Sequence, residues 1–150
     1  LENKVYEGGL KIWECSLDLS YFIDSMSFEG FNVLELGCGA GLPSIVAALN
    51  GAASLTLQDF NDYVLEANTK INFQLNGIDL SKCKFVKCDW ANCLELEGFK
   101  NYLAAKNYYF GLSGSIPAFQ SLIETQGIFN CQQVWKTTKI KRLCLSSSLL

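Results

Sequence analysis

The segment Glu35-Leu-Gly-Cys-Gly-Ala-Gly41 constrains the fold of this chain more than any other. It follows a short apolar run bounded by glycines, Phe31-Asn-Val-Leu-Glu-Leu36, and it precedes Leu42-Pro43 and an apolar stripe of Ile45, Val46 and Leu49. Three glycines in five residues permit positive φ and a close backbone approach, so the segment reads as a tight turn from a buried strand into a helix. Pro43 suits the first turn of that helix, where a backbone N–H has no partner. Asn50-Gly51 ends it.

The pattern then repeats. Ser54–Gln58 reads as a second strand ending at Asp59, and a helix is expected from Asp62 to Leu75, closed by Asn76-Gly77. Lys84–Cys88 reads as a third strand ending at Asp89-Trp90. Upstream, Trp13, Leu17, Tyr21 and Phe22 recur at helical spacing and predict a helix over Trp13–Ser25. Downstream, a strand is expected near Tyr102–Ala105, a helix over Ile116–Glu124, and two antiparallel strands near Cys131–Lys136 and Ile140–Leu145. Alternation of this kind predicts an α/β fold: a doubly wound, Rossmann-like, mostly parallel sheet with right-handed crossovers. At 150 residues, 49% hydrophobic and 18% charged, the chain fits one globular domain over 1–150. It does not begin with Met, so upstream sequence is expected to be missing.

The chain has no His, which excludes Ser-His-Asp and Cys-His nucleophilic catalysis and favours a reaction that needs little acid–base help. Its seven cysteines are odd in number and form no C-x-x-C pair; Cys83, Cys88 and Cys93 are five apart, which is not a zinc-ligand spacing. No metal site is therefore expected, and buried free thiols in a reducing compartment, cytoplasm and/or nucleus, are. A net charge of −3 argues against a nucleic-acid platform. The basic cluster Lys136, Lys139, Lys141 and Arg142 is explained as well by a charge-protected edge strand as by a binding patch. No signal peptide or apolar stretch of membrane-spanning length occurs in the sequence, so no membrane partner is expected.

In open α/β sheets ligands sit at the carboxyl ends of the strands, near the point where strand order reverses. The glycine loop, Asp59 and Asp89 all fall at such ends. Gly37, Gly39 and Gly41 let the backbone approach a ligand, and the helix beginning at Leu42 offers N–H groups to an anion. Asp59, 22 residues beyond Gly37, can accept hydrogen bonds from ribose hydroxyls, which implies an adenosine-containing cofactor. Position 42, where the dinucleotide fingerprint carries its last glycine, is Leu, and acidic Glu35 precedes the loop. A pyrophosphate disfavours that carboxylate; the ammonium of a methionine moiety suits it. The cofactor expected is S-adenosyl-L-methionine, with Asp89 accepting from the adenine amino group and Trp90 on the ring. Trp13 and Glu14 can cap it from the N-terminal side, or simply serve the fold.

The run Val5-Tyr-Glu-Gly-Gly-Leu-Lys-Ile-Trp-Glu-Cys15, taken with the glycine loop, Gln58-Asp-Phe-Asn61, Asp89-Trp90 and Leu103-Ala-Ala-Lys-Asn-Tyr-Tyr-Phe-Gly111, resembles the eukaryotic protein-histidine N-methyltransferases, which are seven-strand class I enzymes. The resemblance implies cofactor contacts from Trp13, Glu14 and Cys15, from Glu35, Gly37, Cys38, Gly39 and Gly41, and from Gln58, Asp59, Asp89 and Trp90. It implies a protein substrate, a histidine of a large-subunit ribosomal protein. Between Trp90 and Tyr102 the family carries a fourth strand, an acidic substrate-side motif and another helix; here only Ala91–Asn101, eleven residues, intervene. A parallel crossover needs at least ~10–12 residues. One strand–helix unit is therefore expected to be absent, with Tyr102–Ala105 pairing beside the first strand.

A neutral imidazole carries its own lone pair, so positioning supplies the acceleration and no catalytic residue is assigned. Two rivals stand beside this reading. One is an inactive cofactor-binding or interaction module derived from such an enzyme. The other is a nucleotide-dependent oxidoreductase, against which Leu42 counts.

Overall fold

A computed structural model describes residues 8–88, 101–106, 121, 125, 129–137 and 142–149. The chain divides into two compact units, Leu1–Glu97 and Gly98–Leu150.

The first unit is built on three parallel strands, β1 (Asn32–Leu36), β2 (Ser54–Asp59) and β3 (Cys83–Lys87), in the order β1-β2-β3. Register places Leu36 beside Gln58, and Gln58 beside Val86, so the carboxyl ends of the three strands lie together. β2 has a neighbour on each side and is buried along nearly its whole length, with Leu57 and Gln58 at 0% exposure. Its sequence alternates, Ser-Leu-Thr-Leu-Gln, so covering both faces buries Thr56 and Gln58 along with Leu55 and Leu57.

Helix α1 (Glu14–Ile23) buries Leu19 and Ile23 and packs on α2 (Leu42–Leu49), which buries Pro43, Ser44, Ile45 and Ala47. The two are also tied end to end, since Asn50 Nδ2 donates to the Asp24 carbonyl at 2.8 Å. That bond satisfies an orphan carbonyl at the end of α1. The sequence predicts the first helix over Trp13–Ser25; Trp13 instead takes extended φ/ψ as its N-cap.

The helix expected from Asp62 to Leu75 is present but not uniform. It runs as α3 (Asp62–Val64), a π-helical turn (Leu65–Thr69) and α4 (Lys70–Leu75). In the widened turn the Thr69 hydroxyl lies 3.2 Å from the Val64 carbonyl five residues back. Phe73 is fully buried below it, edge-on to Phe85 at 6.0 Å. Side chains of this size stabilise by ~1.5–3 kcal/mol each when fully buried. Among the described residues, no helix is long and apolar enough to cross a membrane.

The second unit is an antiparallel sheet of β4 (Asn101–Lys106), β5 (Phe129–Thr137) and β6 (Arg142–Leu149), in the order β4-β6-β5, with an irregularity between Gln133 and Trp135. The last two strands are antiparallel neighbours, as their short connection demands. β4 overturns an expectation: it pairs antiparallel with β6, Leu103 opposite Leu145, and not beside the first strand. β6 supplies it a full-length antiparallel partner, from Asn101 opposite Ser147 to Lys106 opposite Arg142. The helix expected over Ile116–Glu124 lies outside the described residues except at Ser121, whose carbonyl accepts from the Thr125 hydroxyl at 2.7 Å.

Candidate functional site

The glycine loop follows β1 and is held along its length by the end of β2. Gly37 N–H donates to Gln58 Oε1 at 3.0 Å, Cys38 N–H to the Gln58 carbonyl at 2.9 Å, and Gly39 N–H to Asp59 Oδ2 at 3.0 Å. Gln58 also reaches the other way, its Nε2 donating to the Cys88 carbonyl at 2.6 Å just past β3. One buried amide therefore joins the tips of three strands. The other carboxylate oxygen of Asp59 accepts from Asn61 N–H at 3.1 Å. Asp59 is buried, and its first role in the structure is to shape the loop.

The glycines have separate reasons. Gly37, Gly39 and Gly41 have φ of 61°, 51° and 73°. At Gly41 a Cβ would lie 2.8 Å from Cε2 of Phe73 and 3.1 Å from Cγ2 of Thr69. That position is small because the helix after β2 packs against it.

Glu35, partly buried on β1, uses Oε2 to accept from both the backbone N–H and the hydroxyl of Ser44, in the first turn of α2. This is the electrostatic arrangement a helix N-terminus favours. Burial raises its carboxyl to about 7; the bonds from Ser44 oppose the rise and the charge of Asp59 adds to it. The buried Cys38 thiol is pushed well above its ordinary value by burial first, then by the charges of Glu35 and Asp59. A thiol held neutral in this way packs against Thr69 and is no nucleophile.

Trp13, Glu14 and Cys15 stand at the start of α1. The indole N–H of Trp13 donates to the Gly8 carbonyl at 2.8 Å, and Lys11 Nζ sits 5.3 Å from its ring, which stays 41% exposed. Glu14 is exposed and Cys15 is a partly buried free thiol. The turn at Gly8–Leu10 connects this group to the loop, because a Cβ on Gly39 would lie 3.3 Å from the Gly9 carbonyl. Asp89 and Trp90 lie outside the described residues. Cys88, expected to be free like the other cysteines, is disulfide-bonded, while Cys15, Cys38 and Cys83 are free. Among the described residues no cluster of three or more metal-ligating side chains occurs.

Sequence reasoning missed the residues that fasten this loop from below and beside it: Ser44, Asn68, Thr69, Asn72 and Phe73. The available signal was Asn68 and Asn72, four apart on a helix and therefore on one face of it, with Thr69 beside them. Asn61, beside Asp59, was quoted only as part of a motif; its Oδ1 is buried without a hydrogen-bond partner.

Residues 1–109 match the profile of a family described as lysine methyltransferase. A histidine protein methyltransferase 1 homolog from Dictyostelium discoideum is 35% identical over 80% of this chain and 50% of its own length. The corresponding homolog from Rattus norvegicus is 30% identical over 83% of this chain and 52% of its own length. The chain thus spans about half the length of these relatives. Among solved structures, a ribosomal protein L11 methylase from Lactobacillus delbrueckii shares the fold with a TM-score of 0.68 at 17% identity, covering 99% of this chain and 90% of that one. A protein assigned as a methyltransferase, in complex with SAH, gives 0.66 at 14% identity over 91% of this chain and 50% of its own.

Proposed function

Since this chain belongs to the family described as lysine methyltransferase, and its fold is the Rossmann-like fold of class I methyltransferases, we propose that it binds S-adenosyl-L-methionine and methylates a protein side chain, a histidine. The observation that carries the reading is the glycine loop fixed by Gln58 and Asp59 at adjoining strand tips.

The donor set fits this cofactor. Glu35 precedes the loop and would oppose a pyrophosphate, whereas it suits an ammonium group, and Asp59 suits ribose hydroxyls. Asp59 is the ribose acceptor in this reading, its lone pairs aimed by the two backbone N–H groups it already holds. Trp13, Glu14 and Cys15 close the N-terminal side, Gly37, Cys38, Gly39 and Gly41 form the floor, and Asp89 and Trp90 take the adenine. Bound S-adenosylmethionine would supply an electrophilic methyl group, with a thioether as leaving group, for transfer to a nucleophilic nitrogen. This chain's residues contribute position, since a neutral imidazole attacks with its own lone pair. The histidine follows the names of the relatives, and a large-subunit ribosomal protein is the substrate we infer for it. The cytoplasm and/or nucleus is the matching compartment.

Methyl transfer from radiolabelled cofactor to ribosomal proteins tests this, with Gly37→Arg and Asp59→Ala as controls. Labelling lost in both controls supports the pocket; labelling unchanged in both refutes it. Cofactor binding without labelling of any protein would instead favour a binding module, a reading encouraged by the eleven residues between Trp90 and Tyr102.

A further inference from the structure

The polar side of the helix after β2 has no part in the transfer described so far, yet three of its side chains donate to loop carbonyls as well as within the helix. Thr69 Oγ1 donates to the Gly39 carbonyl at 2.6 Å. Asn72 Nδ2 donates to the Ala40 carbonyl at 3.0 Å and lies 3.2 Å from Asn68 Oδ1, and Asn68 Nδ2 donates to the Gly9 carbonyl at 3.3 Å. Asn68 and Asn72 bond each other, Thr69 reaches the neighbouring carbonyl of the same loop, and together the three reach both glycine turns of the site. Those turns meet each other as well: Gly9 packs so closely on the helix that a Cβ there would lie 2.5 Å from Cγ2 of Val64, and its carbonyl faces Gly39.

The π-helical turn explains the alignment. It ends at Thr69 and widens the helix where Thr69 must reach the loop. Such turns occur as single-turn insertions, frequently at functional sites. Hydrogen bonds from Thr69 and Asn72 hold the Gly39 and Ala40 carbonyls toward the helix.

We propose that Asn68, Thr69 and Asn72 are positioning residues that lock the Gly8–Leu10 turn and the glycine loop into one cofactor-binding arrangement. This rests on the S-adenosylmethionine reading. The test uses the full chain and Thr69→Val, Thr69→Ser, Asn68→Ala and Asn72→Ala. Three quantities are measured: calorimetric Kd for S-adenosylhomocysteine, thermal midpoint, and cofactor-free amide exchange over 8–10 and 37–41. Thr69→Val and Asn72→Ala should each raise Kd roughly 5–10-fold, as loss of one hydrogen bond of ordinary strength gives. Both should speed exchange in the glycine loop, and Asn72→Ala and Asn68→Ala should also speed it in the N-terminal turn. Thr69→Ser, which keeps the hydroxyl, should bind as the parent does. An unchanged Kd in Thr69→Val and Asn72→Ala, with only the midpoint lowered, overturns the inference alone. A parent chain that binds no S-adenosylhomocysteine overturns the cofactor reading and this inference with it.

Discussion

Replacing Gly41 by Ala isolates the tightest contact behind the loop. Two penalties apply. A non-glycine residue at φ 73° costs ~1–2 kcal/mol. A methyl group 2.8 Å from the Phe73 ring and 3.1 Å from Thr69 must displace a fully buried side chain, and such overpacking costs ~1–3 kcal/mol. Stiffening of the unfolded chain returns ~0.4–1 kcal/mol. The net loss expected is about 1–5 kcal/mol, read from urea unfolding followed by circular dichroism. Phe73→Leu removes the ring edge that the new methyl would strike, so the double variant should lose less than the sum of the singles, with a coupling of ~0.5–3 kcal/mol. A Gly41→Ala loss below ~0.5 kcal/mol, or strict additivity with Phe73→Leu, would show that the helix does not press on this glycine.

Three other outcomes are expected. The Glu35 carboxyl is raised from 4.5 to about 7, chiefly by burial, so it favours the folded state fully below pH ~4.5 and loses that contribution as pH rises through 7; the span is roughly 3 kcal/mol at ~1.4 kcal/mol per pH unit. Glu35→Gln should flatten the stability curve between pH 5 and 8, and parallel curves for parent and variant would refute the assignment. Gln58→Leu keeps the bulk but strands the Gly37 N–H and the Cys88 carbonyl, costing about 2–4 kcal/mol in denaturant unfolding; a cost under ~1 kcal/mol would mean water replaces both bonds. Asn50→Ala removes the tie from α2 to the end of α1 and should cost about 1 kcal/mol, with faster amide exchange after Ile23 as its signature and none seen if the tie is idle.

What the sequence disclosed followed from spacing. The runs Phe31–Leu36 and Ser54–Gln58, closed by Gly37 and Asp59, set two strands and their tips within a residue. Pro43 and Asn50-Gly51 bracketed α2 closely. The Gln58-Asp59 pair was identified as part of the site, but its work was not visible: a one-dimensional string does not show that Gln58 faces two neighbours at once, or that Asp59 takes two backbone N–H groups. That Glu35 also engages a helix N-terminus nine residues on was not legible either, since only folding brings Ser44 to it. The π turn left no mark in the apolar period, because Val64 and Phe73 remain buried on either side of it. β4 was misplaced for a different reason. Edge pairing depends on which partner is at hand in space, and β6, about forty residues later, is the one it takes.

The Gln58 amide has a handedness of charge: an oxygen toward one neighbour, an NH2 toward the other. Sliding either flanking strand by one position would set oxygen against oxygen or leave a donor facing carbon, and in a parallel ladder the same slip would turn every side chain to the wrong face. The amide therefore acts as an alignment gauge placed where the loop begins. Mispaired strands cannot assemble the glycine turn, so a chain competent to hold a ligand there has, by that fact, a correctly threaded sheet.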